Sequence, residues 1–393
     1  MTTGGTTQWG KARAVASFRA FSMLGSEITV FALVLRERGH GATFVSVLLA
    51  SGTISMVIMV PLAGWLADRF STKQVIPITS LLQAVLIISI IYQHNMILLA
   101  LTVFLSSSCG AVENPTLMAL MPNLVSNDDF SKQMGFSQTL YAMAGLFAPA
   151  VGGTLVSQTG YKTPFIADSI SFLVLGVAPY LLNVNREPKL EGNKVKIRAT
   201  DGMKFIFRDR YLRSLAILIA AFLFAAGTIN IANLFLLTKV LHASVFIYGL
   251  SGASFALGMI VGGLALMKIT IKESQRSKLV VIVLVLTSLL ILGMSASGHW
   301  SIVLILDLLI GVLISILTNI ISTIFILHSP KEMRGRIGAA LNAFINIGTI
   351  GALIISGPIL DWIGSRKLLV VAGVAALILV TVFSPPVIRD EAP

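Results

Sequence analysis

Five ionisable side chains stand inside long apolar runs: Arg19, Glu27, Glu113, Asp168 and Asp307. A charge in hydrocarbon costs several kcal/mol or more unless it meets a partner or water-reachable space, and groups kept there are candidates for binding solutes or relaying protons. Glu27 lies near the middle of its run, where reach to the surface is hardest, and is the first choice for proton exchange. Asp307 stands about a third of the way into its run. Gly311, Ser315, Thr318 and Ser322 follow it at helical spacing and make one polar stripe. Glu113 belongs to a Glu-Asn-Pro triplet in which Pro115 frees a backbone carbonyl beside the acid. It could carry a proton or hold an inner gate against Arg19. Arg19 and Glu27 are eight residues apart, about 12 Å along a helix, too far for a direct bond. The bland readings are an interhelical ion pair for the acids, a snorkelling side chain for Arg19, and a structural bond at the nearby turn for Asp168.

These side chains need helices in a membrane to position them. The 393-residue chain is 55% hydrophobic and only 12% charged, about half the charge of a soluble domain. Twelve segments reach the roughly 20 apolar residues a spanning helix needs. They run over 14–35, 44–66, 75–93, 96–117, 133–157, 163–184, 213–238, 245–267, 279–297, 300–326, 336–360 and 367–386. The fold class is therefore an all-α membrane protein with twelve transmembrane helices. The long polar stretch 185–212 divides it into halves, 1–184 and 213–393, of six helices each. The outer loops carry only Arg36, Arg38, Lys162, Lys239, Arg366 and Lys367; the other basic residues, Arg19 aside, fall in inner segments. That asymmetry places both termini and the 185–212 linker in the cytoplasm. It also accounts for the net charge of +12 without a nucleic-acid partner.

Several chemistries are not supported. The single cysteine, Cys109, excludes an internal disulfide and reads as a small buried hydrophobe. There is no phosphate-binding Gly-x-x-x-x-Gly-Lys-Ser/Thr, no His/Cys metal set and no catalytic constellation on neighbouring segments. On span 7, Asn230 and Asn233 share a face and join Arg19 as candidate substrate-binding groups. Gly258-x-x-x-Gly262 on span 8 permits close helix packing.

The halves echo one another: "GGTLVSQTGYKTPF" closes span 5 and "SGPILDWIGSRKLL" closes span 11. Six-helix repeats of this kind mark one transporter architecture. Between spans 2 and 3, "GWLADRFSTKQV" inserts Gly64, Asp68, Arg69 and Lys73 at the cytoplasmic edge. Gly64 would let the helix approach a neighbour, and Asp68 could pair with Arg69 and Lys73 to form a latch. This stretch resembles the loop motif of the major facilitator superfamily, with Ser71 where the usual Gly stands. "AGLFAPAVGG" is similar to that superfamily's antiporter motif: Pro149, Gly152 and Gly153 match, and Ala148 replaces the first Gly. "ENPTLMALMPNLVSNDDF", "FIADSISFL", "DGMKFIFRDRYLRSL" and "PKEMRGRIGAALNAFINIG" resemble the bacterial macrolide-efflux and enterobactin-exporter branch, and the likeness covers nearly all of residues 10–385.

The resemblance implies that spans 1, 4, 7 and 10 line a central cavity, which would put Arg19, Glu27, Glu113 and Asp307 on cavity helices. The expected function is proton-coupled export of a small amphipathic compound by alternating access. Glu27, Asp307 and Glu113 would handle protons. Asp68 and its neighbours would gate, and the Pro149 motif would mark an exporter. The expected partners are a small-molecule substrate, protons and the lipid bilayer, with no cofactor beyond the proton gradient, no enzyme activity, a monomeric state and a bacterial cytoplasmic-membrane location. The rivals are a proton-coupled importer, a non-transporting membrane sensor and a lipid-handling protein.

Overall fold

The computed structural model describes residues 7–187, 200–268, 271, 273–328 and 334–389. The described residues form fourteen α-helices joined by short turns, with no strand among them. In the first half these are α1 (Trp9–Glu37), α2 (Ala42–Arg69), α3 (Thr72–Ser89), α4 (Met96–Leu120), α5 (Asn127–Thr159) and α6 (Lys162–Leu181). Then come α7 (Thr200–Arg208), α8 (Arg210–Ala226), α9 (Ile229–Phe235), α10 (Val245–Lys268), α11 (Arg276–Ala296), α12 (Trp300–Leu327), α13 (Arg334–Ile363) and α14 (Ser365–Arg389). Twelve helices, counting α8 and α9 as one span, are long and apolar enough to cross a membrane.

Local chemistry sets the ends. Asn95 accepts from the backbone N–H groups of Ile97 and Leu98 at 2.9 and 3.2 Å to start α4. Asp209 does the same for α8 through Leu212 N–H at 2.8 Å. Ser71 and Gln74 form a capping box at α3. The two echoing sequences end their helices alike: Gly160 after α5 has φ +78°, and Gly364 after α13 has φ +81°, a conformation that suits glycine.

The chain divides into two compact units, one of residues 1–39 and 48–193, the other of 40–47 and 194–393. In the first, α1 packs on α5 and α6, and α3 on α4 and α6. Ala12, Val15, Ile76, Leu117, Leu120 and Leu175 fill its inner core. In the second, α10 packs on α12, α11 on α12 and α14, and α8 on α13 and α14 around Leu215, Phe222, Leu284, Ile324 and Phe325. Asp361, at the end of α13, accepts from the N–H groups of Ala42 and Thr43 at 2.8 and 2.9 Å, so the first turn of α2 is capped within this second unit. The outward surfaces are oily. Val371, Val374, Ile378 and Val382 make an exposed stripe on α14, as do Ile97, Leu101 and Leu105 on α4. A water-soluble protein would not carry such stripes, and lipid satisfies them.

Two expectations about the elements change. Span 7 is not one helix: it breaks at Gly227–Thr228 and ends in a π-helical turn, Leu236–Val240. A Cβ on Gly227 would meet the Ala352 side chain and the Leu223 carbonyl, each at 2.7 Å, so the break lies in close contact with α13. The 185–212 stretch is not wholly a linker. α7 lies within it, with Ile206 buried and Met203 and Phe205 against the second unit's core, while residues 188–199 lie outside the described residues.

Candidate functional site

Each unit holds a polar centre among its spanning helices. In the first, Glu113 on α4 is fully buried. Arg19 Nη1 on α1 donates to its Oε2 at 3.0 Å, with Arg19 still 18% exposed. Thr79, Ser80 and Gln83 on α3 donate to Oε1 at 3.1, 2.9 and 2.6 Å. The spacing of those three follows the helix: they lie on one face of α3, turned to α4. Such a set satisfies a carboxylate anion, and the guanidinium compensates its charge. The sequence brought Arg19 and Glu113 together; the α3 triplet was missed, although Thr-Ser-x-x-Gln at helical spacing is its signal.

In the second unit, Asp307 on α12 is buried. Asn233 Nδ2 on α9 lies 3.3 and 3.2 Å from its two oxygens, and the Ser251 hydroxyl on α10 donates to Oδ2. Asn233 also reaches Ser251 Oγ at 3.0 Å, while its own Oδ1 is buried with no hydrogen-bond partner among the described residues. No basic side chain forms an ion pair with Asp307 among the described residues. Ser251 is the residue sequence reading missed, because one serine in an apolar helix carries no pattern. Asn230 is exposed and does not join the cluster. In the polar stripe after Asp307, the Thr318 hydroxyl turns back to the Ile314 carbonyl at 2.9 Å.

Glu27 stands elsewhere. It is exposed on the face of α1 that also carries Arg13, Ser17 and Phe21. Asp168 is not at the α5–α6 turn. It is buried against α1, where a Cβ on Gly25 would meet its Oδ1 at 2.6 Å.

Asp68 of the loop motif is ion-paired, but with a residue not anticipated. Arg186, beyond α6, donates Nη2 to Asp68 Oδ1 at 3.1 Å and Nη1 to the Ala67 carbonyl. Arg69 instead lies over the Trp65 ring at 5.2 Å. Lys73 donates to Asn183 Oδ1 at 2.9 Å. Arg186 is mostly buried while Asp68 is largely exposed, and the loop's own cations are engaged with Trp65 and Asn183 instead. Among the described residues, nothing lies within 4 Å of a Cβ added at Gly64, so the expected close helix approach is not made there. In the Pro149 motif, Gly152 packs on Phe31, whose Cδ1 would lie 3.0 Å from an added Cβ, and Gly153 is buried. Pro149 sits inside α5.

Spanning helices in such number, with buried charges distributed among them, define a polytopic helical membrane protein. The family model of the Major Facilitator Superfamily matches residues 15–236 and 215–393, and the chain belongs to that superfamily. Macrolide efflux protein A of Streptococcus pyogenes is 22% identical over 368 residues, 90% of each chain. Quinolone resistance protein NorA of Staphylococcus aureus is 23% identical over 167 residues, 42% of each. Among solved structures, the nucleoside transporter NupG superposes with a TM-score of 0.75 at 14% identity, covering 95% of this chain and 98% of that one. A bacterial homologue of the human lysosomal transporter Spinster gives 0.76 at 12% identity, covering 98% of both. The fold is the major facilitator fold, and the chain is a multi-pass bacterial membrane transporter rather than an enzyme.

Proposed function

We propose that the protein exports small amphipathic organic compounds across the bacterial cytoplasmic membrane, driven by protons and working by alternating access as a monomer with both termini in the cytoplasm. The observation that carries the proton step is Asp307: a buried carboxylate held by a neutral amide and a neutral hydroxyl. Ionised, it is an acceptor only, and both partners donate to it. Protonated, one oxygen becomes a donor, and its partners must answer: the Ser251 hydroxyl by turning its own proton away and accepting, or the Asn233 amide by turning its Oδ1 inward. Proton binding on α12 is thereby coupled to the hydrogen bonding of Ser251 on α10 and Asn233 on α9, the latter a candidate substrate group. Glu113 differs, because Arg19 compensates its charge; we assign it the role of an inner ion pair. Glu27, exposed on α1, is the second proton-handling candidate. The macrolide and quinolone relatives support export of amphipathic compounds, as does the Pro149 motif.

The test is dye or macrolide accumulation in everted vesicles under an imposed pH gradient. Asp307→Asn keeps the side chain's shape and is expected to lower the initial rate at least tenfold while the thermal midpoint of the purified protein stays near wild type. Glu27→Gln is expected to act in the same direction. Wild-type rates in Asp307→Asn would falsify the proton role of that residue.

A further inference from the structure

Asp168 is not explained by the transport scheme. It is 1% exposed, in the α1–α6 interface of the first unit, and no basic side chain forms an ion pair with it among the described residues. Around it lie hydroxyls. Ser171 Oγ is 3.2 Å from Asp168 Oδ1, and the Thr29 and Ser26 hydroxyls are close enough to interact with the carboxyl. Ser22, Gly25 and Thr29 share one stripe of α1 by their spacing, and Gly25 lets α1 press against the acid.

The hydrogen bonding here does not close. Among the described residues, the buried Asp168 Oδ2, Thr29 Oγ1 and Ser22 Oγ have no hydrogen-bond partner, and Thr29 and Ser22 are 4% and 0% exposed. Buried polar groups in folded proteins are nearly always satisfied, and each exception asks for a physical explanation. A carboxylate with no compensating charge is the costliest such exception.

We propose that Asp168, with the hydroxyls of Ser22, Ser26 and Thr29, forms a binding site for a small monovalent cation of sodium's class between α1 and α6. The donor set is entirely oxygen, which suits a hard cation. One carboxylate supplies one negative charge, so a monovalent ion neutralises the pocket, whereas a divalent ion would leave a buried positive charge. A proton alone fits less well. It gives Asp168 one donor, which can satisfy Thr29 but leaves Ser22 orphaned. Ser26 is only partly buried and lies beside exposed Glu27, giving an ion a route to that face of α1.

The experiment uses the purified full-length chain at constant pH and ionic strength, with sodium chloride replacing choline chloride. It reads radioactive sodium binding and the thermal midpoint, without any substrate, so it stands or falls apart from the export reading. Saturable binding near one ion per chain is expected, with a midpoint that rises with sodium and not with choline. Asp168→Asn should abolish both. Should that variant not fold, Thr29→Val and Ser22→Ala carry the test: each should weaken sodium binding at least tenfold while the sodium-free midpoint is retained. The proposal is overturned by equal midpoints in sodium and choline. It is also overturned by wild-type sodium affinity in Thr29→Val, or by a midpoint that responds to pH through Asp168 but never to sodium.

Discussion

Glu113 and Asp307 are both buried carboxylates in spanning helices, and they differ in the charge of what faces them. Glu113 meets a guanidinium at 3.0 Å and Asp307 meets an amide and a hydroxyl. The difference predicts unequal costs on truncating a partner. Arg19→Gln leaves Glu113 buried and uncompensated, and breaking a buried pair costs about 3 kcal/mol or more. Arg19→Gln/Glu113→Gln removes both charges and should recover most of that loss, so a double-mutant cycle on the thermal midpoint should give a large coupling energy. Ser251→Ala removes one neutral donor and should cost only about 1–2 kcal/mol, while shifting the pH profile of transport. Additivity of the Arg19 and Glu113 changes would show that the pair contributes nothing. Sequence reading singled out Arg19, Glu27, Glu113, Asp168 and Asp307 because an ionisable residue in an apolar run is conspicuous; buried Glu37 and Arg186, at and beyond helix ends, were not singled out. It did not find the partners, since serines and threonines in spanning helices are common. Most of them bond the carbonyl three or four residues back, as Thr116 and Thr287 do, and sequence does not say which reach across.

At the scale of the helix, glycines decide how closely neighbours approach. A methyl on Gly258 of α10 would collide with the Leu308 carbonyl, and one on Gly311 of α12 with the Phe255 carbonyl. Backbone cannot yield as a side chain can. Gly258→Ala and Gly311→Ala should therefore each lower stability by about 1–3 kcal/mol or more, read as a fall in the thermal midpoint. Gly64→Ala, with open space around its Cβ, should leave the midpoint unchanged. A neutral Gly311→Ala would mean that α10 and α12 are not pressed together. The glycine spacing in α10 was legible beforehand, whereas the one in the loop motif misled: both look alike as text, and only the neighbour opposite distinguishes them. Helix existence was legible throughout because a spanning helix must be long and apolar. Helix ends were not, because hydrogen bonding carries α1 and α5 beyond the oily stretch, to Trp9 and Asn127. The break at Gly227 escaped as the hydroxyl partners did: it lies against Ala352 on another helix, a neighbour that the sequence does not show.

For the molecule as a whole, the Lys/Arg asymmetry gives an orientation that labelling can check. Cys109 is the sole cysteine and is buried, so the natural chain offers little background. Lys132 and Lys162 are exposed and flank α5 at its two ends. In intact cells, Lys162→Cys should react with a membrane-impermeant maleimide, and Lys132→Cys only after permeabilisation. The reverse pattern would place the termini outside. The polar stretch around 185–212 and the repeated helix-closing sequences point to two six-helix halves. That the start of α2 groups with the second unit is not readable from the sequence, because it depends on Asp361, more than three hundred residues away.

The buried acids also share an order along the chain. Glu113 on α4 finds Arg19 on α1 and the α3 triplet; Asp168 on α6 faces α1; Asp307 on α12 finds α9 and α10. In each case the interhelical partners lie nearer the N-terminus, so they leave the ribosome first. A helix bearing a carboxylate thus enters the bilayer after the groups that will receive it have already been threaded in. No acid of the three has to wait in lipid for a partner still to be translated.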